Sequence, residues 1–305
     1  MTDLHALAKE AGFAESFLLP VQPYPEWTRH RKDGVFHPNT APLAEDPNQA
    51  YPWANALLIC LYPYTPYDDE TLVASYYPAS NRAYFAMQQL MQRLNALEIR
   101  AERAETPYRE QLAAYGIGAR MDNQLLYVEP YGTYCNLQGA MLCLKEPVSY
   151  TPRREPKEIC DHCGICQTVC FGAIKGNYAF DWSRCVHTYL EGEPIPKDAM
   201  EWMPELLGCM NCQIVCPKNP QTTVPIPDAI KETLDPVRVL MGNRKEASAL
   251  IGKNLSGPNR LLRQAIVLAA NKHRTDALPY LQKLRETDGE RFRAELDYAF
   301  SLLQK

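Results

Sequence analysis

The sequence predicts an N-terminal α/β (α+β) unit over residues 1–150, a cysteine-dense metal-cluster unit over 151–225 and a short α-helical tail over 226–305. Three observations predict it. Apolar strands alternate with amphipathic helical stretches through the first half, the pattern of a sheet layered with helices. Eight of the 11 cysteines fall between Cys160 and Cys216. Beyond residue 236 the chain turns to helix formers and basic residues. With 305 residues, 46% hydrophobic and 22% charged, the chain is long enough for a sizeable core, and its composition excludes disordered and collagen-like structure.

The elements follow in order. Residues 4–12 carry apolar positions at helical spacing and stop at Gly12, a C-terminal helix signal. A short strand is expected over 16–20, and residues 23–52 are proline-rich and irregular. The run Ala54-Asn55-Ala56-Leu57-Leu58-Ile59-Cys60-Leu61 reads as a buried strand over 56–62. It is well short of the roughly 18–20 apolar residues of a membrane span, so no membrane contact is expected. A helix is expected over 81–97, with Tyr84, Met87, Leu90, Met91 and Leu94 as its core stripe. A second helix over 107–115 is closed by Gly116 and Gly118, and a strand follows over 124–129. No Gly-x-Gly-x-x-Gly follows a strand and no Walker motif appears, so the usual phosphate cradle of nicotinamide and triphosphate sites is missing. Met1-Thr2-Asp3-Leu4-His5 has no basic region leading into an apolar core; no secretory signal is read, and a cytoplasmic location is expected.

Without an export signal a disulfide framework is the weaker reading of the cysteines, because a cytosolic pool keeps thiols reduced. The spacing Cys160-x2-Cys163-x2-Cys166-x3-Cys170 is the run that holds a [4Fe–4S] cluster in bacterial two-cluster ferredoxins. The later block, Cys209-x2-Cys212-x3-Cys216-Pro217, has three cysteines, and Cys185 supplies the missing one. Crossed as in ferredoxins, the eight make two sets: Cys160, Cys163, Cys166 and Cys216, then Cys170, Cys185, Cys209 and Cys212. Pro217 stops chain continuation just after a ligand. Phe171 stands where ferredoxins usually carry proline, which alters the turn and not the ligands. Zinc is the competing reading, since Cys-x2-Cys pairs suit tetrahedral sites, but zinc does not need the longer run. Cys60, Cys135 and Cys143 read as small buried hydrophobes. His162 reads as a neighbour of the ligands rather than a ligand. Two neighbouring clusters make an electron relay, which implies an external electron donor.

The tail hides a charge asymmetry. Between residues 236 and 285 stand Arg238, Arg244, Lys245, Lys253, Arg260, Arg263, Lys272, Arg274, Lys283 and Arg285 against Glu246 and Asp276. That stretch is +8, so the net −4 conceals −12 elsewhere. Two readings stand: a face for a polyanion such as RNA, and a solvated helical surface. Helices are expected over 259–271, 276–285 and 288–303. They resemble one unit of a HEAT-type repeat, whereas an array needs about three.

The block Cys160-Asp161-His162-Cys163-Gly164-Ile165-Cys166-Gln167-Thr168-Val169-Cys170, then Asp181-Trp182-Ser183-Arg184-Cys185, then Gly208-Cys209-Met210-Asn211-Cys212-Gln213-Ile214-Val215-Cys216-Pro217 resembles the cobalamin-dependent epoxyqueuosine reductases. Those enzymes complete the tRNA base queuosine and look like relatives of reductive dehalogenases. The isolated Cys185 is the most specific point of likeness. Residues 8–13, 52–61 and 261–271 are similar to that family's N-terminal helix, strand and HEAT-like region. The resemblance implies a corrinoid-binding domain, a ferredoxin-like double-cluster domain and a tail that grips tRNA. It implies two [4Fe–4S] clusters passing electrons to cobalamin, which reduces the substrate. That family carries an aspartate three residues before a proline as its proton donor; the matching position here is Ala104, which has no proton to give. Glu105, Glu102 and Tyr108 are the candidates to replace it. The turn over 116–123 also lacks the family's tryptophan and later glycine. Two other functions fit the same residues: an electron-transfer iron–sulfur protein without that catalysis, and a nucleic-acid-binding protein with structural clusters.

Overall fold

The computed structural model describes residues 2–23, 46–68, 73–149, 158–191 and 194–304. Most of the proline-rich stretch expected to be irregular, over 24–45, lies outside them.

The chain opens with α1 (Leu4–Glu10), whose end is capped by Asp3 accepting the Ala6 N–H at 3.0 Å. Strand β1 (Glu15–Pro20) follows, then the short α2 (Pro47–Ala50) and β2 (Ala56–Pro63). The long α3 (Tyr76–Ala96) leads to β3 (Ala101–Arg103) and α4 (Tyr108–Ala114). A two-residue hairpin, β4 (Ala119–Arg120) with β5 (Leu126–Tyr127), precedes β6 (Cys135–Leu142). Four strands form one sheet in the order β1-β2-β6-β3, antiparallel throughout. The mixed architecture expected is therefore realised in its α+β form.

Strand β2 explains why its sequence is a continuous apolar run. One face buries Ala56, Leu58 and Cys60 against α3, which offers Ala83, Met87, Leu90 and Leu94. The other buries Leu57, Ile59 and Leu61 with Leu19, Leu112, Leu126 and Met141. A strand covered on both faces has no polar side to alternate with.

Three expectations need correction. Helix α3 starts five residues before 81, because Pro78 falls in its first turn, where no intrahelical N–H is required. Tyr84 of the expected stripe is exposed, with the Arg103 guanidinium over its ring at 5.3 Å. The strand over 124–129 shrinks to β5, and β6, which no periodicity announced, pairs with β2 on the side away from β1. Its Asn136 and Gln138 are buried and satisfy each other at 2.8 Å, and Gly139 interrupts the apolar pattern. A Cβ at Gly139 would come within 2.4 Å of the Tyr108 ring, so the glycine lets α4 close on the sheet.

After the sheet come α5 (Ile165–Thr168), the hairpin β7 (Ile174–Gly176) and β8 (Ala179–Phe180), α6 (Lys197–Trp202) and α7 (Asn211–Ile214). The tail is helical, with α8 (Asp228–Thr233), α9 (Pro236–Met241), α10 (Arg244–Ile251), α11 (Arg263–Asn271), α12 (Leu278–Asp288) and α13 (Arg293–Leu303). Helix α11 is buried on two sides. Ala265 and Leu268 join an apolar cluster with Val73, Tyr134, Leu206 and Met210, while Ile266 and Ala269 pack on Leu281, Phe292 and Leu296. No helix of the described residues is long and apolar enough to cross a membrane.

Candidate functional site

Short turns deliver the cysteines. Gly164, at φ +76°, opens α5 between Cys163 and Cys166. Asp181 accepts the Ser183 N–H and sets a 3-10 turn over Trp182–Arg184, which ends at Cys185. Gly208 has φ +109°, and a Cβ there would lie 2.9 Å from the His187 ring, so the Cys209 loop can close on His187 only with glycine at that place.

The eight cysteines gather in two places. Cys160, Cys163, Cys166 and Cys216 line a narrow cavity together with Asp122 and Asn123. Cys170, Cys185, Cys209 and Cys212 line a larger cavity of about 610 Å³. Electrostatics follows the same grouping, except that Cys166 of the first set also reaches Cys212 of the second. Burial pushes the Cys166 thiol up to about 11, helped by Asp122, Cys160, Cys216 and Cys163. Burial takes Cys209 up to about 12, with Glu205, Cys185 and Cys170 adding to it. Cys212 is driven well above its ordinary value by burial, then by Cys209, Cys185, Cys170 and Cys166. Crowded, buried thiols hold protons until a cation replaces them. Each group of four is a donor set for tetrahedral zinc or for an iron–sulfur cluster.

The other three cysteines differ. Cys60 is buried in β2 as expected. Cys143 is exposed just past the end of β6, where the chain leaves the sheet, and Cys135 is half-buried on the wall of the large cavity. His162 stands beside the first set: its Nδ1 lies 3.0 Å from Asp122 Oδ1. Asp122, Cys160 and His162 bring one potential ligand atom each within 4.8 Å of one another. Phe171 packs on Trp202 under the Arg184 guanidinium, 4.0 Å from its ring.

The large cavity lies between the sheet half and the cysteine loops, and its walls are mostly apolar. Tyr64, Tyr76 and Tyr77 stand on one side, Trp182 and Trp202 on the other. Of the three candidate acids only Tyr108 lines it. Its hydroxyl donates to the Ala104 carbonyl, and burial raises its pKa, so it keeps its proton. Glu102 is exposed on the edge strand β3, paired with Arg100 at 2.7 Å; Glu105 is exposed and paired with Arg103 at 3.4 Å. Ala104 is buried in the core. The sequence reading missed Glu110, Asn123 and His187, all at the cavity wall. Tyr77 Oη and His187 Nδ1 lie 2.7 Å apart, and His187 Nε2 lies 3.3 Å from the Cys209 carbonyl. His187 stands two residues after Cys185, and no spacing in the sequence marks it.

The basic tail is partly neutralised from outside its own stretch. Arg274 pairs with Asp235 and Asp276, Arg285 with Asp297, and the buried Arg263 with the buried Glu295 at 2.6 Å. Asp235, Asp297 and Glu295 flank residues 236–285 in sequence, so a count inside that window overstates the free charge.

No family model matches the chain. Over 184 residues it is 29% identical to an epoxyqueuosine reductase of Staphylococcus aureus, covering 57% of this chain and 47% of that protein. The chain thus spans about half the length of the curated relatives it matches. Its fold is similar to that of epoxyqueuosine reductase from Streptococcus thermophilus, at TM-score 0.78 and 18% identity over 99% of this chain and 90% of the other. It is also similar to an epoxyqueuosine reductase solved with an epoxyqueuosine-modified tRNA-Tyr stem loop, at TM-score 0.72 and 18% identity over 99% and 98%. At these identities the structural likeness is one of fold.

Proposed function

We propose that this protein is an iron–sulfur reductase of the epoxyqueuosine reductase type, acting on a tRNA base. The observation that carries the reading is the placement of one four-thiol set on the wall of a largely apolar cavity of about 610 Å³, the size range of a small-molecule site. The thiols of Cys160, Cys163, Cys166 and Cys216 would hold one [4Fe–4S] cluster, and those of Cys170, Cys185, Cys209 and Cys212 the other. The apolar, aromatic lining, with Tyr64, Tyr76, Trp182 and Trp202, would suit packing against the corrin ring of a cobalamin. When bound, the clusters supply single electrons and the corrinoid a strongly reducing metal centre.

The chain's own residues do the rest. The tyrosine and tryptophan walls exclude water and leave aromatic faces for a base to stack on. Tyr108, whose phenol keeps its proton, is the candidate to protonate a departing oxygen, while Glu102 and Glu105 serve the surface. Tail cations such as Lys245 and Lys253, which make no ion pair among the described residues, suit phosphate contacts.

Anaerobic reconstitution tests the reading. About eight iron atoms per chain are expected, as two cubane clusters require, with a corrinoid spectrum that survives gel filtration. Stoichiometric zinc, or loss of the corrinoid, would overturn it. Binding of a tRNA stem loop is expected to weaken steeply with salt. Tyr108→Phe is expected to cut turnover about 100-fold with iron content unchanged.

A further inference from the structure

The turn over 121–124 lines the cavity of the first thiol set and is bonded to His162, Tyr178 and Cys212 around it. Asp122 is buried, and its Oδ1 accepts from His162 Nδ1 at 3.0 Å and from the Tyr178 backbone N–H at 2.9 Å. One carboxylate oxygen thus ties the Cys160–Cys163 loop to the β7–β8 hairpin. Gln124 Nε2 donates to the Tyr178 carbonyl at 2.7 Å, and Asn123 Nδ2 to the Cys212 carbonyl at 3.4 Å. Asn123 lines both cavities.

Three non-glycine residues meet at this turn in the left-handed region: His162 at φ +50°, Tyr178 at +61° and Gln124 at +63°. Such conformations persist only where the surroundings over-determine them. The bonds to Asp122 and Gln124 are those surroundings. The charge of Asp122 also reaches the Cys166 thiol. Other charges nearby lie on the rim, where solvent screens them: Glu158, 3.7 Å from His162 Nε2, and Asp161, paired with Lys218 at 2.6 Å.

We propose that Asp122 is a positioning residue for the Cys160, Cys163, Cys166 and Cys216 set: it clamps the ligand loop through His162 and makes that site, and not the other, harder to reduce. The inference rests on the cluster reading above. A buried negative charge beside a cluster opposes the arrival of an electron, and the tie at His162 fixes where Cys160 and Cys163 stand.

The test uses the full chain, reconstituted anaerobically with iron and sulfide and titrated by dithionite with spectroscopic detection of each cluster. Asp122→Asn keeps the acceptor oxygen and removes the charge. It is expected to retain all the iron and to favour reduction of one cluster at least tenfold, about 59 mV for one electron, leaving the other unmoved. Asp122→Ala removes the tie as well and is expected to lose half the iron. His162→Ala keeps the charge and cuts the tie; it is expected to release half its iron to a chelator faster than the parent, without raising either midpoint. Unchanged midpoints in Asp122→Asn, equal movement of both, or parent-like iron retention in His162→Ala would overturn the proposal. A parent chain that takes up no iron would overturn the cluster reading itself, and this inference with it.

Discussion

Glu205 is a buried carboxylate whose Oε2 has no hydrogen-bond partner among the described residues. Burial pushes its pKa from 4.5 to about 7, against the opposing pull of the Met210 N–H and the charge of Lys272. The folded chain therefore holds this proton more tightly than the unfolded one. The resulting stability is fully present below about pH 4.5 and is lost as pH rises through about 7, to the extent of roughly 3 kcal/mol. Glu205→Gln is expected to be more stable than the parent at pH 8 and to show a flatter stability profile between about pH 5 and 7, read by urea denaturation at a series of pH values. At this scale the sequence was most legible for cysteine. Which acid is buried was not legible, because Glu102, Glu105 and Glu205 differ in surroundings and not in local pattern. Glu205 sits under α11 only because the tail folds back on the cysteine loops, with Gln264 accepting the Leu207 N–H at 2.8 Å.

Helix α11 and helix α13 are joined by the buried Arg263–Glu295 pair, in which Glu295 Oε1 is shared and Oε2 has no hydrogen-bond partner among the described residues. Arg263 also donates to the Arg291 and Asn259 carbonyls, and Glu295 accepts the Ile195 N–H at 2.9 Å. Removing one partner strands the other charge in the core. Glu295→Ala is expected to cost about 3–5 kcal/mol, and replacing both residues by apolar ones of similar size to recover most of it, as measured by the denaturation midpoint. Elements with clean periodicity, such as α11 and the core of α3, were readable from sequence. Strand β6 was not, because its polar pair Asn136–Gln138 is satisfied internally and so needs no solvent-facing side. The basic count of the tail misled for a related reason: its acidic partners sit in the flanking turns and in α13.

The large cavity lies between the sheet half, the cysteine loops and the tail at Leu255, so a metal held by Cys170, Cys185, Cys209 and Cys212 would couple its binding to folding. Stripping iron from the reconstituted protein is expected to lower its Tm, since a metal held only by the folded arrangement adds its binding energy to stability. Cys185→Ala is expected to leave about four of eight irons; retention of all eight would mean the ligand sets are drawn wrongly. The sequence by itself determined which cysteines share a loop, that the tail is helical and that one strand is buried, because spacing and periodicity are local properties of the chain; the tail α-helices begin two to five residues later than their periodicity suggests, at Arg263, Leu278 and Arg293. Only the tertiary structure decided that Tyr108 faces the cavity while Glu102 and Glu105 face water. That choice follows from β3 pairing with β6 and from α4 closing over Gly139, contacts between residues far apart in sequence that no local pattern encodes.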